Sequence, residues 1–116
     1  MQIIDLAGIP STPLERFESH AASNTRIADM RAGSTVGVIH LGPNGRLGRH
    51  PATVPQLVVV ISGTGYARGD DATALKVTVG NAVVWTQGEE HETWTEEGIV
   101  LLIIETDDPN LGVRHS

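Results

Sequence analysis

His50 and His91 each stand in a frame of glycines at the edge of a short apolar strand. The first frame reads Gly45-Arg-Leu-Gly-Arg-His50-Pro-Ala52-Thr-Val-Pro-Gln56-Leu-Val-Val-Val-Ile-Ser-Gly63. The second reads Gly80-Asn-Ala-Val-Val-Trp85-Thr86-Gln-Gly88-Glu-Glu-His91-Glu-Thr-Trp-Thr95. Imidazole is the commonest metal ligand and the side chain that exchanges a proton most readily near neutral pH. Each frame therefore offers either a metal ligand or a polar group for lining a pocket. Other chemistries are excluded. There is no cysteine, so disulfides, thiolate metal sites and thiol nucleophiles are absent. Gly63-Thr-Gly65-Tyr-Ala-Arg-Gly69 has one residue too many for a dinucleotide fingerprint, and no Gly-Lys-Ser/Thr phosphate loop or Gly-x-Ser-x-Gly elbow occurs. Ser62, beside Gly63, reads as turn chemistry.

The elements that must position these side chains are strands. Helical periodicity is confined to about one turn around Leu14–Phe17, after the Ser11-Thr12-Pro13 start signal. From residue 24 onward, Gly, Pro, Asn and Asp clusters punctuate short apolar runs, which predicts strands at 24–30, 34–41, 46–50, 56–61, 64–68, 74–79, 82–85, 91–95 and 99–106. Gly42-Pro43-Asn44-Gly45, Ser62-Gly63 and Gly69-Asp70-Asp71 are the expected turns. An antiparallel all-β sandwich or small barrel follows.

Side chains alternate faces along a strand, and that parity assigns the histidines. His91, Thr93 and Thr95 share one face of their strand; Glu90, Glu92, Trp94 and Glu96 share the other. The acidic face reads as the wet one, so His91 faces inward by elimination. His50 and Ala52 share a face, as do Gln56, Val58 and Val60. A hairpin at Ser62-Gly63 would pair Val60 with Gly65 and Val58 with Ala67. The small residues would then lie inside, leaving space for a ligand, with Tyr66 and Arg68 outward. Trp85 reads equally as core or pocket wall; His20, His40 and His115 read as surface histidines, His40 being the one other candidate for a substitute ligand. Leu57–Ile61 and Ile99–Ile104 are apolar on both faces, so each needs a cover on its second face. Ile3, Ile4, Leu6, Ile9, Leu14 and Phe17 of the N-terminal arm, together with a homodimer partner, are the expected cover.

Composition bounds the setting. A 116-residue chain, 40% hydrophobic and 19% charged, is one folded domain's worth. A net charge of −6 argues against nucleic acid. The eight acids between Thr86 and Asp108 read as a solvated face. No signal peptide or membrane-length apolar run is present, so a cytoplasmic protein with no membrane partner is expected.

The two frames resemble the paired motifs of the cupin superfamily, G-x5-H-x-H-x3–4-E-x6-G and G-x5-P-x-G-x2-H-x3-N. His50 takes the first histidine, Ala52 the second, Gln56 the glutamate and Gly63 the closing glycine, with Gly45 one residue too close. Gly80, Gly88 and His91 match the second motif, while Thr86 replaces its proline and Thr95 its asparagine. The resemblance implies one cupin domain over 1–116, a double-stranded β-helix or jelly-roll barrel at 24–108 behind an arm at 1–23. It also implies a metal site at His50, Gln56 and His91, holding Zn, Fe, Mn or Ni and no organic cofactor. The implied function is a divalent-metal-dependent enzyme on a small, anionic organic molecule. The alternative is a metal-free small-molecule binding or sensing module, because Ala52 cannot ligate and Gln56 offers only a neutral amide.

Overall fold

A computed structural model describes residues 5–29 and 33–107, with the side chains of Leu6, Ala28 and Asp29 outside the description. Among the described residues eight strands run in the order β1 Thr12–Pro13, β2 His20–Asp29, β3 Thr35–Pro51, β4 Gln56–Arg68, β5 Ala74–Thr78, β6 Ala82–Trp85, β7 Glu90–Trp94 and β8 Ile99–Glu105. Two single-turn 3-10 segments, Leu6–Gly8 and Arg16–Glu18, stand in for the turn expected near Leu14. All pairing is antiparallel. Among the described residues no helix is long and apolar enough to cross a membrane.

Two long strands build the barrel. The first half of β3 pairs with β8 and its second half with β7. The first half of β4 likewise pairs with β8, and its second half with β7 and β5. One sheet is therefore β2-β3-β8-β4-β6 and the other β3-β7-β4-β5, joined where β3 and β4 cross from one to the other. This corrects two expected turns. Gly42–Gly45 is the corner at which β3 changes partners: Asn44 takes φ 59 and Gly45 has no room for a Cβ, which would lie 2.7 Å from the Gly42 carbonyl. Ser62-Gly63 is a bulged corner of β4, with a register shift between Val60 and Ser62 and φ 80 at Gly63.

The predicted hairpin pairs do not form. Val58 lies opposite Val83 and Ile103, Val60 opposite Leu101, Gly65 opposite Val77, and Ala67 opposite Leu75 and Thr93. Val58, Val60, Gly65 and Ala67 are nonetheless all buried. One inserted residue shifts face parity from even to odd positions, so the bulge produces the inward set that a hairpin would have produced. The core lies between the sheets and includes Leu41, Val58, Val60, Val77, Trp85, Ile99, Leu101 and Ile103.

The expected cover is corrected at two of its residues. Leu14 and Phe17 turn toward the mouth of the interior cavity instead of the outer faces of β4 and β8. Ile9 is half-buried, Ile3 and Ile4 lie outside the described residues, and so does the side chain of Leu6.

Candidate functional site

His50, next to last in β3, pairs in register with His91 on β7, just past a bulge that follows Leu47. Gln56 opens β4 between Trp85 of β6 and Glu105 of β8. His50, Gln56 and His91 line one interior cavity of about 230 Å³, so the structure brings the three predicted site residues together. The cavity walls include Leu47, Val58, Leu101, Ile103 and Trp85, with Asn24, Thr35, Arg16, Arg26 and Glu105 as polar members. Trp85 is both core and wall, 7% exposed.

The histidines touch each other. His50 Nε2 and His91 Nε2 are 2.9 Å apart, and His50 Nδ1 lies 2.6 Å from the Gly48 carbonyl oxygen. A carbonyl only accepts, so His50 Nδ1 carries a proton, and in the neutral ring its Nε2 is then a bare acceptor. His91 Nε2–H then donates to it. That leaves His91 Nδ1 as a bare lone pair, buried without a partner. Rings hold both imidazoles in place: Phe17 stacks on His50 at 4.3 Å and 8°, and Trp85 meets His91 edge-on at 5.1 Å. Burial lowers the His91 pKa from 6.5 to about 4, with the neighbouring His50 charge as the second cause.

A nitrogen separation of 2.9 Å would suit two ligands of one ion as well as an N–H···N bond, so the far edge of each ring decides. A metal-bound histidine donates its other N–H to a carbonyl, carboxylate or water. His50 has the Gly48 carbonyl for that purpose, whereas His91 Nδ1 has no acceptor. Nor do three or more His, Cys, Asp or Glu converge anywhere among the described residues. Two imidazoles and one neutral amide, with no acceptor behind His91, do not fit a resident metal. Ala52, at the position of the family's second histidine, is 1% exposed, and its backbone is pinned to the Gly88–Glu89 turn. Thr95, in place of the motif's asparagine, donates to the Thr64 carbonyl at 2.6 Å and accepts from the Gly98 amide at 2.9 Å, tying the end of β7 to β4. His40 is exposed, away from the cavity.

Inward orientation of His91, Thr93 and Thr95 matches expectation, but the other face of β7 does not. Glu92 is 3% exposed. Arg46 Nη2 donates to its Oε2 at 3.0 Å and Arg68 Nε to its Oε1 at 2.6 Å, with Arg49 Nη1 3.8 Å away. Three guanidinium groups converge from β3 and β4, so this member of the acidic run is a neutralised, buried carboxylate and not part of a solvated face. Tyr66 and Trp94 stack beside it at 5.8 Å, with Arg68 over the Trp94 ring. The only sequence signal was three arginines on strands flanking an acid, and it becomes legible once Arg68 and Glu92 are known to pair. Phe17 was expected only as part of the outer cover, and no sequence signal tied it to His50. It reaches His50 because the Arg16–Glu18 segment lies directly on Gly48, where a Cβ would sit 1.3 Å from the Phe17 carbonyl oxygen.

No family model matches the chain, and no curated protein matches it significantly. Its likeness is to solved structures. The polyketide cyclase RemF from Streptomyces resistomycificus superposes with a TM-score of 0.81 at 16% identity, over 93% of this chain and 80% of that one. A predicted oxalate decarboxylase from Thermotoga maritima gives 0.78 at 12% identity, covering 89% and 96% of the two chains. A cupin-2 domain protein from Rhodospirillum rubrum gives 0.73 at 12% identity, covering 99% and 77%. At these identities the likeness speaks for architecture, and it agrees with the two glycine-histidine frames: the chain has the fold of a small cupin.

Proposed function

We propose that this chain is a small-molecule binding or sensing module whose cavity works without a resident metal. The observation that carries the reading is the direct His91–His50 hydrogen bond, with His50 Nδ1 already committed to Gly48. Both edges of His50 are occupied, and His91 has one edge occupied and the other sealed. Neither ring has a free nitrogen with which to exchange a proton with a guest. The pair therefore acts as wall, presenting ring faces to the cavity instead of free ring nitrogens.

A guest meeting Trp85, the aliphatic wall and these ring faces is a small, largely apolar organic molecule. Its polar end is met at Gln56, whose amide both donates and accepts, with Arg16, Arg26 and Glu105 as further polar members of the lining. An anionic group is compatible with the two arginines, but no metal charge is needed to hold it. Recognition of this kind, mostly apolar with a few placed polar groups, is the usual chemistry of enclosed small-molecule sites.

The test begins with protein purified without chelator or nickel affinity, incubated with Zn, Mn, Fe and Ni salts, desalted and analysed for metal. Substoichiometric metal is expected, unchanged in His50→Ala and His91→Ala. Near-stoichiometric metal lost in both variants would overturn the reading in favour of the metal-dependent enzyme. In parallel, a panel of mono- and bicyclic aromatic alcohols and acids is screened by thermal shift. A guest at a hundredfold excess over its Kd stabilises the fold by about 2.7 kcal/mol, and Gln56→Leu should weaken the same guest at least tenfold.

A further inference from the structure

The outer face of the β3-β7-β4-β5 sheet gathers positive charge. One row of cross-strand partners runs Arg46, Trp94, Tyr66 and Lys76. The next pairs Glu92 with Arg68, and Arg49 joins it from the bulge after Leu47. Half of the eight Lys and Arg residues thus share one face, in a chain of net charge −6. Their arrangement exceeds what Glu92 needs. One guanidinium neutralises one carboxylate, yet three surround this one, each with 37–45% of its side chain open to solvent. A surplus of two positive charges remains. Each guanidinium presents a fork of N–H donors, and the contacts with Glu92 and the Gly69 carbonyl use only a minority of them. Buried Glu92 holds the forks in place from beneath. Beside them Trp94 and Tyr66 stack, both half-buried, and Trp94 walls a groove of about 300 Å³ with Arg46 and Arg68.

We propose that this face binds a mononucleotide, its phosphate on the three guanidinium groups and its base against Trp94. Charge balance selects the phosphate. A phosphate monoester carries about −1.5 to −2 at neutral pH, which matches the surplus; a carboxylate would meet only half of it. Planar N–H forks also suit phosphate oxygens, which they take two at a time. The rings select the base, because aromatic faces and guanidinium planes are where unpaired bases stack. The rim limits the anion to one phosphate. Along the outward row of β7, Glu90 and Asp70 stand together at one end, and Glu96 borders the groove at the other. Further phosphates along the strand would meet these carboxylates, so a polynucleotide is repelled where a mononucleotide fits. The site is a second one, on the opposite side of β7 from His91.

Isothermal titration calorimetry of the full chain with AMP, ribose 5-phosphate, adenosine and a short oligodeoxythymidylate tests this. AMP should bind tightest, with ribose 5-phosphate about fivefold or more weaker for want of a base and adenosine giving no heat. Arg49→Gln removes the guanidinium farthest from Glu92, at 3.8 Å. It should keep the wild-type unfolding midpoint and weaken AMP about tenfold or more, the effect of one lost charge-assisted hydrogen bond. Location is read from the two tryptophans. AMP should quench Trp94 in Trp85→Phe and leave Trp85 unchanged in Trp94→Phe. The wild-type comparisons decide the matter even if a variant fails to fold. The proposal is overturned if AMP gives no heat, if ribose 5-phosphate or adenosine binds as tightly as AMP, or if the oligonucleotide binds tighter. Unchanged AMP affinity in folded Arg49→Gln, or quenching of Trp85 instead of Trp94, overturns it equally.

Discussion

Burial keeps the His91 imidazole neutral, lowering its pKa to about 4, and this has a consequence for stability in acid. The unfolded chain accepts a proton on this histidine near pH 6.5, whereas the native state refuses it until about pH 4. The contribution is therefore fully present above pH 6.5 and is lost as pH falls toward 4, amounting to no more than ~3 kcal/mol. Urea midpoints at pH 7 and pH 4.5 should drop further in wild type than in His91→Gln, where this term is missing; equal drops would contradict it. Glu92 acts at the same scale. Its three arginine partners are 37–45% exposed, so solvent screens them and the loss on Glu92→Leu falls below the ~3–5 kcal/mol of a fully buried pair. A destabilisation of about 2 kcal/mol is expected by urea titration, and an unchanged midpoint would show that the cluster contributes no net stability.

At the scale of elements, the strand corners are the constrained points. Gly63 and Gly80 both have positive φ, 80 and 97. They differ in space: a Cβ on Gly63 would meet the Gly98 carbonyl oxygen at 2.2 Å, while one on Gly80 would meet nothing within 4 Å. Gly80→Ala carries only the backbone term, about 1 kcal/mol. Gly63→Ala must in addition push β4 away from the start of β8, so it should cost at least twice as much. Chemical denaturation of the two variants checks the order, and a larger loss at Gly80 would contradict the corner reading. The same comparison explains why strand positions were legible in the sequence and strand continuity was not. Apolar runs flanked by Gly, Pro and Asn mark where chain is extended, but Gly42–Gly45 and Ser62-Gly63 carry the same residues as a hairpin turn. Only pairing to two different partners, β8 and then β7, makes them corners.

At the scale of the whole molecule, β3 and β4 each belong to both sheets, so neither sheet can open without tearing the strands of the other. Unfolding should be a single cooperative transition. Trp85, in the core, and Trp94, on the outer face of β7, report from the two sides of the barrel. Trp94→Phe and Trp85→Phe, each leaving one tryptophan, should each show a fluorescence transition that coincides with that variant's own circular-dichroism transition. A fluorescence midpoint displaced from the backbone signal in either variant would reveal separate units.

By itself the sequence determined the all-β class, the two frames and the inward face of His91, which follow from residue type and a period of two, both local properties. The gathering of His50, Gln56 and His91 around one pocket was what the resemblance of the two frames implied. Tertiary structure decided what the pocket residues do to one another. The 2.9 Å contact between the histidines, the Gly48 carbonyl that sets their protons and the three arginines over Glu92 all join segments distant along the chain. Parity can say that a side chain faces in or out. It cannot say which strand will lie opposite, and for an imidazole or a carboxylate the opposite group determines its charge and its chemistry.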